Sequence, residues 1–199
     1  MNRKMSAGVL APLVLAGLLL TACERKEQKA GTYNDRESAD DYFKSGSAYY
    51  NNQDYDRAIA DYTSAIRIDP NYAKAYVNRG GAYLDKQDYD RAIADYTSAL
   101  RIDPNLAAAY FNRGNVYLNK QDYDRAIADY TSAIRIDPNL ANAYANRGVV
   151  YFNKGDYDRA IADFEAALRI DPNNTYAKQN LEVAKNRRLI TDMTRFLDE

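Results

Sequence analysis

Apolar residues fall along this chain in paired helical stripes that return every 34 residues. In one copy, Tyr76, Gly80, Tyr83 and Leu84 stand at i, i+4, i+7 and i+8, the spacing of one helix face. Asp88 follows as a helix N-cap. A second face then runs through Ala92, Ile93, Tyr96, Ala99, Leu100 and Ile102. Asp103-Pro104 ends it, because the residue before a proline is pushed out of the α region. Asn105 is predicted to cap the next helix. Each unit therefore reads as helix, short turn, helix and stop. The stretch DYDRAIADYTSAIRIDPN begins at Asp54 and returns at Asp88 with one change, at Asp122 unchanged, and at Asp156 as DYDRAIADFEAALRIDPN.

A single helical hairpin cannot bury its apolar side alone, so the units must stack. Gly80 and Ala92 let the two backbones of a hairpin approach closely. The tyrosine positions 76, 83, 89 and 96 fill the space around them, and 15 of the 19 tyrosines stand at these places in the four copies. A 34-residue period is that of the tetratricopeptide repeat (TPR). Residues 39–172 resemble that family through Tyr42, Gly46, Tyr49, Ala58, Tyr62, Ala65 and Pro70, and through the copies running Tyr76–Pro104, Tyr110–Pro138 and Tyr144–Pro172. The family usually has Trp at the first position, here always Tyr. It prefers Leu before the glycine, where this chain has Ser45, Arg79, Arg113 and Arg147. The predicted fold is an all-α solenoid of four units (39–72, 73–106, 107–140, 141–173) closed by a helix over 174–199. In that helix Ala177, Leu181 and Ala184 continue the stacking face. A further stripe of Ile190, Met193, Phe196 and Leu197 exceeds what a cap needs. It is predicted to fold over the last repeat, enter the groove or mediate self-association.

The first residues differ from the rest. Arg3 and Lys4 precede an apolar run from Val9 to Leu20, which is short for a membrane span and holds Pro12 and Gly17. This is a secretory signal pattern. Its end, Leu20-Thr21-Ala22-Cys23, resembles the bacterial lipobox, which implies cleavage after residue 22 and lipidation of Cys23. Residues 23–38 are polar and charged and read as a tether. Glu24 in place of Asp, the usual inner-membrane retention signal, favours the periplasmic face of the outer membrane.

Composition narrows the chemistry. The chain has no His, no Trp and one Cys, which removes a His general base, a His or multi-Cys metal site and an intrachain disulfide. A net charge of −1, with acids and bases interspersed, offers no basic field for nucleic acid. Paired Asp54 and Asp56, and their copies, lack the glycine and terminal Glu of a calcium loop and fit a helix start better. No phosphate-binding glycine motif occurs. The expectation is a non-enzyme with no cofactor and no metal.

Family resemblance assigns the first helix of each unit to a concave groove. It implies a partner surface containing Phe43, Lys44, Tyr50, Val77, Asn78, Leu84, Phe111, Asn112, Asn115, Asn146 and Phe152, with Ala145 and Val149 alongside. Asn78, Asn112 and Asn146 recur 34 residues apart. A side-chain amide both donates and accepts, so such a row suits the backbone of an extended peptide. The carboxylate clamp of some relatives is not expected, because Phe43, Ala108 and Asn112 stand where it needs Lys or Arg. Arg79, Arg113 and Arg147 each precede an aspartate by sixteen residues: Asp95, Asp129 and Asp163. Antiparallel helices bring such residues face to face, which predicts structural ion pairs. Binding of an acidic ligand in the groove is the alternative. Ser45, opposite Asp61, leaves the first unit without a pair. The expected function is a membrane-anchored adaptor for a protein or peptide in envelope assembly, such as pilus secretin, outer-membrane or peptidoglycan machinery. An accessory subunit of an enzyme and a self-stacking structural protein are the alternatives.

Overall fold

The computed structural model describes residues 38–198, with side chains described through Thr194. Nine α-helices and no strand occur among the described residues: α1 (Ala39–Asn51), α2 (Tyr55–Ile68), α3 (Ala73–Asp85), α4 (Tyr89–Ile102), α5 (Ala107–Asn119), α6 (Tyr123–Ile136), α7 (Ala141–Asn153), α8 (Tyr157–Ile170) and α9 (Thr175–Asp198). Odd and even helices pair as hairpins, and each hairpin stacks on the next. The odd helices α1, α3, α5 and α7 also touch one another in series and form one wall. Cys23 and its lipobox lie outside the described residues.

The turns explain the regularity. Asp54, Asp88, Asp122 and Asp156 each cap an even helix by accepting the backbone N–H three residues on, from Arg57, Arg91, Arg125 and Arg159. The arginine side chain returns to the same carboxylate, and in Asp88 that bond holds the carboxyl below its usual range. The guanidinium also covers the tyrosine ring of the preceding helix, at 4.7 Å for Arg57 on Tyr49 and 4.5 Å for Arg91 on Tyr83. Before each cap the chain needs a left-handed residue. Gln53, Gln87 and Gln121 take φ of 60, 60 and 58°, and Gly155 supplies the last turn at 78°.

The odd helices begin differently from the expectation for Asn105. Tyr72, Leu106 and Leu140 are the N-cap residues, and none gives a side-chain cap. The asparagine is drawn one residue too early. Asp69, Asp103 and Asp137 take the backbone N–H of Asn71, Asn105 and Asn139, so Asp-Pro-Asn closes on itself as a turn. Of the asparagines that follow these prolines, only Asn174 caps the next helix, by accepting from the Ala177 N–H.

The core is built from alanine and one aromatic per unit. Tyr62, Tyr96, Tyr130 and Phe164 are fully buried, each against the glycine of its own hairpin: Gly46, Gly80, Gly114 and Gly148. Most other tyrosines are half-buried. In α9, Ala177, Leu181 and Ala184 are buried on the last hairpin. Beyond them Leu189, Ile190 and Met193 are more than half exposed. The side chains of Phe196 and Leu197 lie outside the described residues.

Candidate ligand groove

The wall of odd helices holds a cleft of about 280 Å³ at the joint of the first three units. Tyr50, Val77, Asn78, Gly81 and Asn112 line it, with Ser47 and Tyr62 at its base. All of these side chains are uncharged. Asp85 stands beside the cleft and accepts from Tyr50 Oη at 2.6 Å. Burial first, then Asp85, raises the Tyr50 phenol above its ordinary range, so it stays a donor.

Of the groove residues expected from sequence, Tyr50, Val77, Asn78 and Asn112 meet in this cleft. The remaining ones do other work. Phe43 packs on the Tyr62 and Tyr72 rings, at 5.8 and 5.0 Å between centroids. Lys44 pairs with Asp40 on an exposed surface. Leu84, Phe111 and Phe152 pack against the core beneath. Ala145 is 1% exposed and so cannot face a partner.

The three asparagines are not equivalent. Asn78 Nδ2 donates to Tyr62 Oη at 3.4 Å, and that hydroxyl donates to Ser47 Oγ at 3.2 Å. Asn115 Oδ1 accepts from Tyr130 Oη at 2.7 Å and from Asn146 Nδ2 at 2.8 Å. Asn146 and Asn115 are thus committed to an internal network and are half-buried. At the middle joint this network is missing. Gly81 stands where Ser47 and Asn115 stand, and Tyr96 Oη is buried with no hydrogen-bond partner. Asn112 has no side-chain hydrogen bond among the described residues. In the fourth unit the problem does not arise, since Phe164 carries no hydroxyl and Val149 stands opposite. The informative position is the one after the core glycine, which the resemblance already placed on the groove wall through Asn115 and Val149. Its signal is that Ser47, Gly81, Asn115 and Val149 differ while their surroundings repeat.

The arginines sit away from the cleft contacts. Arg79, Arg113 and Arg147 each grip an aspartate with two nitrogens, at 2.8 and 2.8 Å to Asp95, 2.7 and 2.9 Å to Asp129, and 2.8 and 2.8 Å to Asp163. A third nitrogen reaches the preceding unit, at 2.9 Å from Thr63, Thr97 and Thr131. Asp56, Asp90 and Asp124 pair with Lys86, Lys120 and Lys154 of the next unit, and Asp158 with Arg188. Both aspartates of the D-x-D pairs are thereby used in the scaffold.

Models of the tetratricopeptide repeat match residues 43–107, 96–128 and 141–174, and a model described as TPR repeat matches 114–155. These matches run together from 43 to 174. The chain is a tetratricopeptide repeat protein. No curated protein matches it by sequence. Among solved structures it is similar to the MamA protein, with 26% identity, a TM-score of 0.71, and coverage of 78% of this TPR chain and 85% of that one. It is similar to the Arabidopsis OM64 TPR domain, with 28% identity, a TM-score of 0.56 and coverage of 57% and 94%. A TPR of Spaghetti (RPAP3) bound to the HSP90 peptide SRMEEVD has 27% identity, a TM-score of 0.56 and coverage of 57% and 90%.

The TPR joints make a stability prediction. Tyr130→Phe removes the donor to Asn115 and is expected to cost about 1 kcal/mol. Tyr96→Phe removes a buried hydroxyl without a partner and should be neutral or stabilising by up to about 1 kcal/mol. Urea melts of the two variants against the parent check the opposite signs. Equal losses at both positions would contradict the difference between the joints.

Proposed function

We propose that this chain is a membrane-anchored adaptor that holds an extended peptide segment of a protein partner in its TPR groove. The observation that carries this reading is the uncharged cleft across α1, α3 and α5, where the Asn112 amide has no internal hydrogen bond. The structure of a similar TPR with a bound peptide supports the peptide as the ligand class. The cleft's chemistry differs from a carboxylate clamp, because its lining has no cation and Asp85 stands beside it. The anchor is the lipidated Cys23 of Leu20-Thr21-Ala22-Cys23, on the periplasmic face of the outer membrane, and the task is envelope assembly. None of the described helices is long and apolar enough to cross a membrane. A lipid on Cys23 would supply the attachment.

The test is selection of binders from a displayed library of twelve-residue peptides, followed by titration against Asn78→Ala/Asn112→Ala. The double variant should lose at least tenfold in affinity and keep its melting temperature, since Tyr62 retains Ser47 as a partner. Full affinity in the variant would reject the groove. Mass spectrometry of the mature N-terminus should find acylated Cys23, and an unmodified Cys23 would reject the anchor.

A further inference from the structure

The middle joint differs from its neighbours in one respect that packing does not require. Phe164 fills the position of Tyr96 in the fourth unit with no loss of burial, so the ring alone completes the core. Tyr96 nevertheless carries a hydroxyl, fully buried and unpartnered. A buried hydroxyl without a partner is costly, and the neighbouring joints avoid that cost with Ser47 or Asn115. Gly81 withholds the partner here. A Cβ on Gly81 would lie 3.7 Å from Tyr50 Oη and 3.9 Å from Tyr96 Oη, both ordinary contacts, so a side chain here would fit and would stand beside the hydroxyl. Gly81 itself lines the cleft. Asn112 stands at the register of Asn78 and Asn146, the residues that join the hydroxyl networks of the flanking joints.

We propose that Gly81, Tyr96 and Asn112 form a subsite for an uncharged side-chain amide, Asn or Gln, of the peptide in the groove. This rests on the groove reading above and adds the identity of a recognised residue. A primary amide meets both needs at once. Its carbonyl accepts from Tyr96 Oη, and its NH₂ donates to Asn112 Oδ1. A carboxylate is disfavoured because Asp85, bonded to Tyr50 Oη, puts a negative charge beside the cleft. An ammonium has no acceptor to offer and leaves the Tyr96 proton stranded. An aliphatic side chain satisfies neither group, and a site built around buried polar groups rejects analogues that leave them unpaired.

Two substitutions in the full chain separate ligand recognition from scaffold. Gly81→Ser installs the hydroxyl that Ser47 provides in the first unit, and removes a helical glycine. It should raise the melting temperature and lower affinity for the library-selected peptides at least tenfold. Tyr96→Phe keeps the ring and should lower affinity to a similar extent without lowering the melting temperature. The selected peptides should share an Asn or Gln, and changing it to Glu or Leu should also cost tenfold or more. If peptides bind and depend on Asn78 and Asn112 but share no amide, or bind Gly81→Ser unchanged, the subsite is wrong and the groove stands. If no peptide is selected, both are wrong.

Discussion

Arg113→Ala is expected to destabilise the solenoid by about 3–5 kcal/mol, the range for stranding one member of a buried ion pair. The Arg113 and Asp129 side chains are 17% and 8% exposed, and the guanidinium fork bonds both carboxylate oxygens. That hydrogen bond, working against burial, also raises the Arg113 pKa above its ordinary value, so the guanidinium keeps its charge. The third bond, to Thr97, ties the second unit to the third. Losing the arginine therefore opens a hairpin and a joint together. Asp129→Ala should sit toward the lower end of that range, because a long arginine can lift its head toward water and keep Thr97. Arg113→Lys should recover only part of the loss, since an ammonium cannot match the two-point geometry. The double variant should cost less than the two singles added. A double-mutant cycle by urea melts reads that coupling, expected at about 1–3 kcal/mol. A coupling near zero would reject the pair as a stabilising unit. In the first unit, Ser45 is exposed and Asp61 has no such arginine, so substitution there should matter far less.

The fold was legible because one physical pattern is written four times. Copies at a fixed period average out the weakness of any single helix signal, and Asp-Pro marks each stop. What misled was local competition for hydrogen bonds. Asn105 looked like a helix cap, but Asp103 two residues earlier takes its N–H and folds the turn first. The groove was harder to read. Helix geometry places Asn78, Asn112 and Asn146 on one wall, but it does not say which amides are already spent. That depends on the residue one unit away, on Ser47 and Asn115 as against Gly81. Repetition hides this, because what recurs is conspicuous and the difference between the joints lies in the position that varies. Residues such as Ala145 and Leu84 share the groove-facing register and are nevertheless drawn into packing. Register fixes a direction, while the depth of the neighbours decides exposure.

The adjacent glycines of α3 give the second large expected effect, with opposite signs one residue apart. Gly→Ala in a helix interior ordinarily stabilises by about 0.5–1 kcal/mol, because glycine loses more backbone entropy on folding. Gly81→Ala should follow that rule, since its Cβ meets nothing closer than 3.7 Å. Gly80→Ala should reverse it. The new Cβ would lie 2.9 Å from Tyr96 Cε1 and 3.1 Å from Cδ1 and Cζ. Tyr96 is fully buried, so its ring cannot swing out to water and the hairpin must give instead. Overpacking of this kind costs about 1–3 kcal/mol, more than the entropy gain returns. Thermal melts should therefore place Gly80→Ala below the parent and Gly81→Ala above it. Combining Gly80→Ala with Tyr96→Leu should recover part of the loss, because the smaller side chain relieves the contact that the methyl creates. A Gly80→Ala variant that melts at or above the parent would show that the ring yields, and that close approach of the two helices is not what the glycine secures.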